Sequence, residues 1–404
     1  MYDRMYEDAM LKHFEEERQM LFLMGPRQVG KTTSALRVGE AWGEYHYLNW
    51  DDVAHRELIL AGPGAIAEQL ALERLREKPP LLILDEIHKF RGWKDFLKGF
   101  FDVWEKKVRI LVTGSGRLDA FRSGGDSLMG RYFSCRMHPL SLAELGKPQV
   151  GESIMAECAP QSDTATLERL LQRGGYPEPF ARNSDRFQRR WRGFRNSQLL
   201  GADLADLARI QEVAQLEVMC RILTREAGQL LNLSGVARQI RVATDTARRW
   251  LSTLEALYYV FAIRPWHRNV RRSLRKEPKV YLWDWAQVVE PGARAENLVA
   301  CALLKSCHFW TDYGLGDFSL HFLRDKEKRE VDFLVSREQQ PWLLVEVKLS
   351  GKRRVSKALR HFQAETGAPY ALQLAFDLPH VEAHPLVSDG PAIVPATTFL
   401  SHLV

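Results

Sequence analysis

Cysteine is scarce: five in 404 residues (Cys135, Cys158, Cys220, Cys301 and Cys307), with no CxxC pair among them. An odd, scattered set argues against a disulfide framework or a thiolate zinc site and fits a reducing cytoplasm. Long apolar runs are missing too. Stretches such as Leu81–Leu84 are strand-sized, far short of the ~20 residues that cross a bilayer, so no membrane partner is expected. The N-terminal Met1-Tyr-Asp-Arg-Met-Tyr-Glu-Asp lacks the apolar centre of a secretory signal. The sequence has no internal repeat and no low-complexity tract. What remains, 45% hydrophobic and 27% charged, suits a globular chain of two or three domains. A net charge of +6 favours an anionic partner without identifying one.

Residues 1–20 read as a helix, with Met5, Met10, Leu11 and Phe14 at helical spacing. Met20–Met24 reads as a strand entering Gly25-Pro26-Arg27-Gln28-Val29-Gly30-Lys31-Thr32-Thr33, which fits G-x-x-x-x-G-K-[ST] at every position. The chemistry requires this pattern. Glycines let the backbone curl until N–H groups converge on phosphate oxygens, and the helix that follows adds its dipole. Lys31 is expected at the β- and γ-phosphates of ATP, and Thr32 on Mg²⁺. The strand Leu81-Leu-Ile-Leu-Asp85-Glu86 brings two carboxylates to its tip, Asp85 for the Mg²⁺ shell and Glu86 as general base for water. Strands at Tyr45–Trp50 and Arg109–Thr113 complete a parallel sheet alternating with helices. Thr113 and Ser115 are either γ-phosphate sensors or ordinary turn residues. Asp51 and Asp52 read as loop caps. Arg131, after a glycine-rich loop, is either a finger offered to a neighbouring copy's nucleotide or a surface ion pair.

Beyond a Gly/Pro/Ser-rich connection at 146–163, helical patterns run to about Trp250. Residues 231–257 read as helix, turn, helix, with Ser234 and Thr244 as expected caps. The apolar sets are Val236, Ala237, Ile240 and Ala247, Leu251, Leu254, and Arg248 and Arg249 face outward. With a ribbon at Tyr258–Arg264 this is the order of a winged helix, either a DNA-reading unit or an inert packing module. Arg264, Arg268, Arg271, Arg272, Arg275, Lys276 and Lys279 follow with one acid, Glu277. This run is either a DNA-phosphate contact or a solvated or intramolecular one.

Near the C-terminus, Glu330-Val-Asp332-Phe-Leu-Val and Trp342-Leu-Leu-Val-Glu346-Val-Lys348 read as a hairpin that places Asp332, Glu346 and Lys348 on one side. Glu296 approaches from a helix over 294–305. Carboxylates and a lysine so placed could hold a second Mg²⁺ or Mn²⁺ through Glu296, Asp332 and Glu346 and orient water at a phosphodiester. The pattern resembles the PD-(D/E)XK nuclease superfamily. The alternatives are surface charges on an amphipathic hairpin, or a nuclease shape without turnover.

Nearly the whole chain resembles a prokaryotic family of AAA-type ATPases whose C-terminal half is a nuclease-like domain of unknown function. The marks are Gly25–Thr33, Leu84-Asp-Glu-Ile-His-Lys89, Thr113-Gly-Ser115, Gly130-Arg131, Pro139-Leu-Ser-Leu-Ala-Glu144, Gly174-Gly-Tyr-Pro-Glu178, Pro278-Lys-Val-Tyr281 and the Glu330-Val-Asp332…Glu346-Val-Lys348 pair. Trp285 stands where the family usually has glycine. The resemblance implies ATP and Mg²⁺. The expected architecture is α/β: a P-loop core at 1–145, a helical and winged-helix middle at 146–285, and a restriction-nuclease-like domain at 286–404. The expected partners are ATP and DNA, with a second copy or a protein partner possible. The expected activity is ATP hydrolysis coupled to the C-terminal domain. The alternative is a nucleotide-gated switch or scaffold whose C-terminal domain binds without cutting.

Overall fold

The computed structural model describes residues 2–114, 128–146, 153–156, 163–199, 201, 212–267, 277–352, 354–386 and 390–404. Ser115 and the basic residues Arg268, Arg271, Arg272, Arg275 and Lys276 lie outside them. The chain divides into two units, Met1–His138 and Pro139–Val404.

In the first unit five strands form one parallel sheet: β1 (Met20–Met24), β2 (Tyr45–Asn49), β3 (Leu81–Asp85), β4 (Arg109–Gly114) and β5 (Tyr132–Arg136). Their order is β2-β3-β4-β1-β5. Every residue of β1 and β3 is buried, as expected of strands covered on both faces. The helix Trp93–Trp104 buries Trp93, Phe96, Leu97, Phe100 and Phe101, an i, i+3, i+4, i+7, i+8 stripe that joins the core beside Phe22 and Leu84. Because β4 lies between β1 and β3, the glycine loop and Asp85 emerge at the same edge of the sheet without being on adjacent strands. The N-terminal helix runs from Met5 to Glu16 and buries Met5, Met10 and Phe14.

The second unit holds a seven-stranded mixed sheet: β6 (Val260–Pro265), β7 (Lys279–Leu282), β8 (Phe318–Arg324), β9 (Glu330–Arg337), β10 (Gln340–Lys348), β11 (Tyr370–Ala375) and β12 (Ala392–Pro395), ordered β12-β11-β10-β9-β8-β6-β7. The segments 146–285 and 286–404, separate in the sequence reading, share this sheet. Arg264 and Pro265 of β6 pair in parallel with His321 and Phe322 of β8. The β9–β10 turn places Glu338 and Gln339 at φ 49° and 62°, a left-handed pair matched to strand twist. The helix Pro291–Asp312 is longer than expected and packs on β7, β8, β9 and β10. Among the described residues no helix is long and apolar enough to cross a membrane.

Two expected caps are corrected. Asn232, not Ser234, caps the helix Leu233–Gln239, accepting from Gly235 N at 2.9 Å. Thr244 is the first residue of the helix Thr244–Ala256, whose cap position, Ala243, has no side chain able to accept. The core assignments for both helices hold: Val236, Ala237, Ile240, Ala247, Leu251 and Leu254 are buried, joined by Trp250, while Arg248 and Arg249 are exposed.

Two family marks and the departure at Trp285 have structural explanations. Ser141 caps a short helix by accepting from Glu144 N at 3.3 Å, and the buried Lys305 ammonium donates to Ser141 Oγ at 2.8 Å and to the Glu144 carboxylate. At Gly175 a Cβ would stand 2.5 Å from Leu140 O and 2.6 Å from the Trp285 ring. Trp285 fills that space and donates its indole N–H to Leu170 O at 2.8 Å. The turn after Asp284 is thus rebuilt around a packed indole. Lys305→Met removes the ammonium paired with the buried Glu144 carboxylate and is expected to cost about 3–5 kcal/mol. Adding Glu144→Leu should recover much of that in a denaturant double-mutant cycle. Additive losses would mean that the two groups do not act as a pair.

Candidate active site

The strand β1 ends directly at the glycine loop. Gly25 has φ 149°, and a Cβ there would lie 2.2 Å from Met137 O, so only glycine fits against that backbone. Gly30, at φ 101°, precedes the helix Lys31–Trp42. Gly25, Pro26 and Val29 are buried, while Gln28, Thr32 and Thr33 are exposed and Arg27 is half-buried. Lys31 lies inside the loop, donating to Gly25 O at 2.9 Å and Pro26 O at 2.7 Å. Burial lowers its ammonium to about 8, against the opposing pull of the Glu86 and Asp85 carboxylates. A phosphate entering here would take over that ammonium.

Asp85 closes β3, and three hydroxyls converge on its carboxylate. Thr32 Oγ1 and Tyr47 OH each donate at 2.8 Å to Oδ2, and buried Thr113 donates to Oδ1. The loop threonine and the acidic strand therefore meet at one carboxylate. Thr113, a candidate phosphate sensor, instead spends its hydroxyl on Asp85. Tyr47 was not foreseen. Its phenol is pushed well above its usual value by burial and then by Asp85. Tyr47 and Asp85 are two register positions apart on the adjacent strands β2 and β3, a pairing the sequence does not display.

Glu86 has a left-handed backbone, φ 57° and ψ 21°, and donates its N–H to Thr113 O at 3.1 Å. Its carboxylate lies 3.2 Å from Lys89 Nζ and 3.6 Å from the ring of buried His88, and Lys89 reaches Asp51 at 2.5 Å. The Asp-Glu-Ile-His-Lys run is thus a local cage around Glu86. Asp52 caps the helix Val53–Leu60 by accepting from His55 N at 3.0 Å.

Arg131 stands elsewhere. Its carbonyl accepts from Met20 N at the entry of β1, the sheet edge opposite the glycine loop. Its guanidinium makes a two-pronged pair with Asp102 at 2.6 and 3.0 Å. Within its own chain it does not reach the phosphate site.

In the second unit the carboxylates cluster, but around an ammonium. Lys279, only 3% exposed, lies 2.6 Å from Glu330, 3.3 Å from Glu296 and 4.0 Å from Asp332. Tyr281 OH donates to Glu296 at 2.7 Å, and Val347 N to Asp332 at 2.8 Å. Asp332 is raised above its ordinary value by burial and by Glu296. The β9–β10 register, Val345 opposite Phe333, sets Glu346 across from Asp332 one step further on. The Glu346 oxygens are already taken, by Lys348 at 2.8 Å and by Ser356 Oγ.

Of the residues expected at a second divalent ion, Glu296 and Asp332 gather around the Lys279 ammonium, and Glu346 bonds Lys348 and Ser356 instead. A lysine holds the centre, and among the described residues no group of three or more His, Cys, Asp and Glu side chains is arranged for a metal. In sequence Lys279 belongs to the basic run. Its place at the head of the Pro278-Lys-Val-Tyr281 strand was the signal that it turns inward.

A family model described as an AAA domain matches residues 17–146. Models described as Domain of unknown function (DUF8612) and Domain of unknown function (DUF4143) match residues 164–289 and 291–383. Uncharacterized proteins of Mycobacterium bovis and Mycobacterium tuberculosis are each 26% identical over 400 residues, 97% of this chain and 83% of theirs. Among solved structures, the Walker-type ATPase PABY2304 of Pyrococcus abyssi aligns with a TM-score of 0.43 at 16% identity, covering 74% of this chain and 96% of that one. PCH-2 of C. elegans aligns with 0.29 at 17% identity, over 45% and 61%. The matched AAA domain, residues 17–146, thus spans the glycine loop and the acidic strand whose Thr32 and Asp85 side chains meet.

Proposed function

We propose that the chain is a Mg²⁺-dependent ATP hydrolase whose C-terminal domain has a nuclease-like hairpin and binds DNA without cutting it. The observation that carries the first half is the 2.8 Å bond from Thr32 Oγ1 to Asp85 Oδ2. Hard oxygen donors on the loop and on the acidic strand meet at one point, a donor set suited to Mg²⁺. There Thr32 and Asp85 would hold the ion, which supplies neutralising charge at the β- and γ-phosphates. Lys31 grips those phosphates, the loop N–H groups cradle them, and Glu86 takes the proton of the attacking water. Tyr47 and Thr113 keep Asp85 in one orientation. The test is phosphate release from ATP by the purified chain, with Mg²⁺ or with a chelator. Turnover that survives chelation contradicts the reading.

Lys279 supports the second half, binding without cleavage. An ammonium ion-paired among Glu296, Glu330 and Asp332 neutralises the carboxylates that a catalytic cation would need. Exposed Arg238, Arg241, Arg248 and Arg249 on and between two helices supply a cationic face for phosphates. Duplex DNA is expected to be retained and left intact in Mg²⁺ or Mn²⁺. Neutralising Arg241, Arg248 and Arg249 should flatten the plot of log affinity against log salt by up to ~0.9 per lost contact. Metal-dependent cleavage lost on Asp332→Ala would restore the nuclease reading. An unchanged slope would return this face to structural duty.

A further inference from the structure

We propose that Arg4 is a positioning residue of the phosphate-binding loop, setting the peptide between Val29 and Gly30 so that the Gly30 N–H faces the phosphates. This rests on the ATPase reading above. Arg4 lies in the extended residues just before the N-terminal helix, yet it is only 5% exposed. Its guanidinium forks between two carbonyls far apart in sequence, Val29 O at 2.5 Å and His138 O at 2.6 Å. His138 follows Met137, whose N–H donates to Met24 O at 2.7 Å and whose carbonyl backs Gly25. One side chain thus ties the far end of the glycine loop to the backbone that supports its near end.

The consequence follows from peptide planarity. In a trans peptide the C=O and the next N–H point in opposite directions. Holding Val29 O on the Arg4 side turns the Gly30 N–H to the other side, and Gly30 tolerates this at φ 101°. Arg4 Nη1 lies 3.8 Å from where a Gly30 Cβ would be, so the guanidinium is directly behind the loop. Arginine suits the task because its planar fork meets two acceptors at once, where lysine offers a single ammonium. The N-terminal segment has other ties as well. Ser34 Oγ donates to Glu7 of the helix at 2.7 Å, and Arg37 donates to Glu7 at 3.4 Å and, just before Arg4, to Asp3 at 2.7 Å and Tyr2 O at 3.0 Å.

These separate ties allow a controlled test. Calorimetry with ADP and steady-state kinetics with ATP would be run on wild type, Arg4→Met, Arg4→Lys and Arg37→Met. Arg4→Met is expected to weaken ADP binding about ten- to a hundredfold, the scale of one lost charge-assisted hydrogen bond. The ATP KM should rise by a similar factor with kcat changed by less than about twofold, as when binding common to ground and transition states is removed. Arg4→Lys should fall between, and it carries the test alone if Arg4→Met does not fold. Arg37→Met loosens the same helix without touching Val29 and should leave ADP affinity unchanged. Wild-type ADP affinity in both Arg4 variants overturns the proposal, as does an equal loss in Arg37→Met. Absence of ADP binding by the wild type overturns the ATPase reading along with it.

Discussion

Glu86→Gln is expected to bind ATP as wild type does and to hydrolyse it about 10²–10⁴-fold more slowly, the range for removing a general base. The substitution keeps the size of the side chain, and the left-handed backbone at residue 86 is set by the turn. What it removes is the charge that Lys89 and His88 hold in place at 3.2 and 3.6 Å. The ground-state grip on phosphate belongs to Lys31 and the loop, so affinity should be spared while the chemical step fails. Single-turnover kinetics with a separate nucleotide titration separates the two. Wild-type turnover in Glu86→Gln would assign the base elsewhere.

Lys279→Met is expected to be among the most destabilising single changes in the second unit. Removing one member of a buried ion pair costs about 3–5 kcal/mol, and here three carboxylates lose a shared partner. Asp332 is already raised by burial and by Glu296. A carboxyl with a folded value above its unfolded one binds its proton better when folded, so it destabilises at neutral pH. That penalty fades as pH falls toward the ordinary carboxylate value. The deficit of Lys279→Met should therefore shrink on acidification in denaturant titrations across that window. A loss that is the same at every pH would point to packing rather than charge.

The parts of the site legible in the sequence are those contiguous in the chain. A strand, a glycine loop and a helix in succession must form their cradle locally, and an apolar strand ending in Asp85–Glu86 has one place to deliver them. The contacts of Tyr47, Thr113 and Arg4 were not legible, because they depend on strand order and on residues far away. Arg4 reaches 25 and 134 residues along the chain to its two acceptors. Lys279 shows the opposite failure. It ends a run of cations that reads as a solvent-facing face, and charge counting cannot tell which lysine starts a buried strand. Likewise Asn232 and Ser234 are both good cap residues two positions apart, and only the helix start decides between them.

The most direct test is inorganic phosphate released from ATP by wild type and Lys31→Ala, side by side, with Mg²⁺ at neutral pH. Lys31 is buried in the loop, its ammonium on Gly25 O and Pro26 O, 2.9 and 2.7 Å away, placed to transfer to an arriving phosphate. Steady turnover is expected of the wild type and none above background of Lys31→Ala. Turnover in Lys31→Ala at the wild-type rate would contradict the ATPase reading.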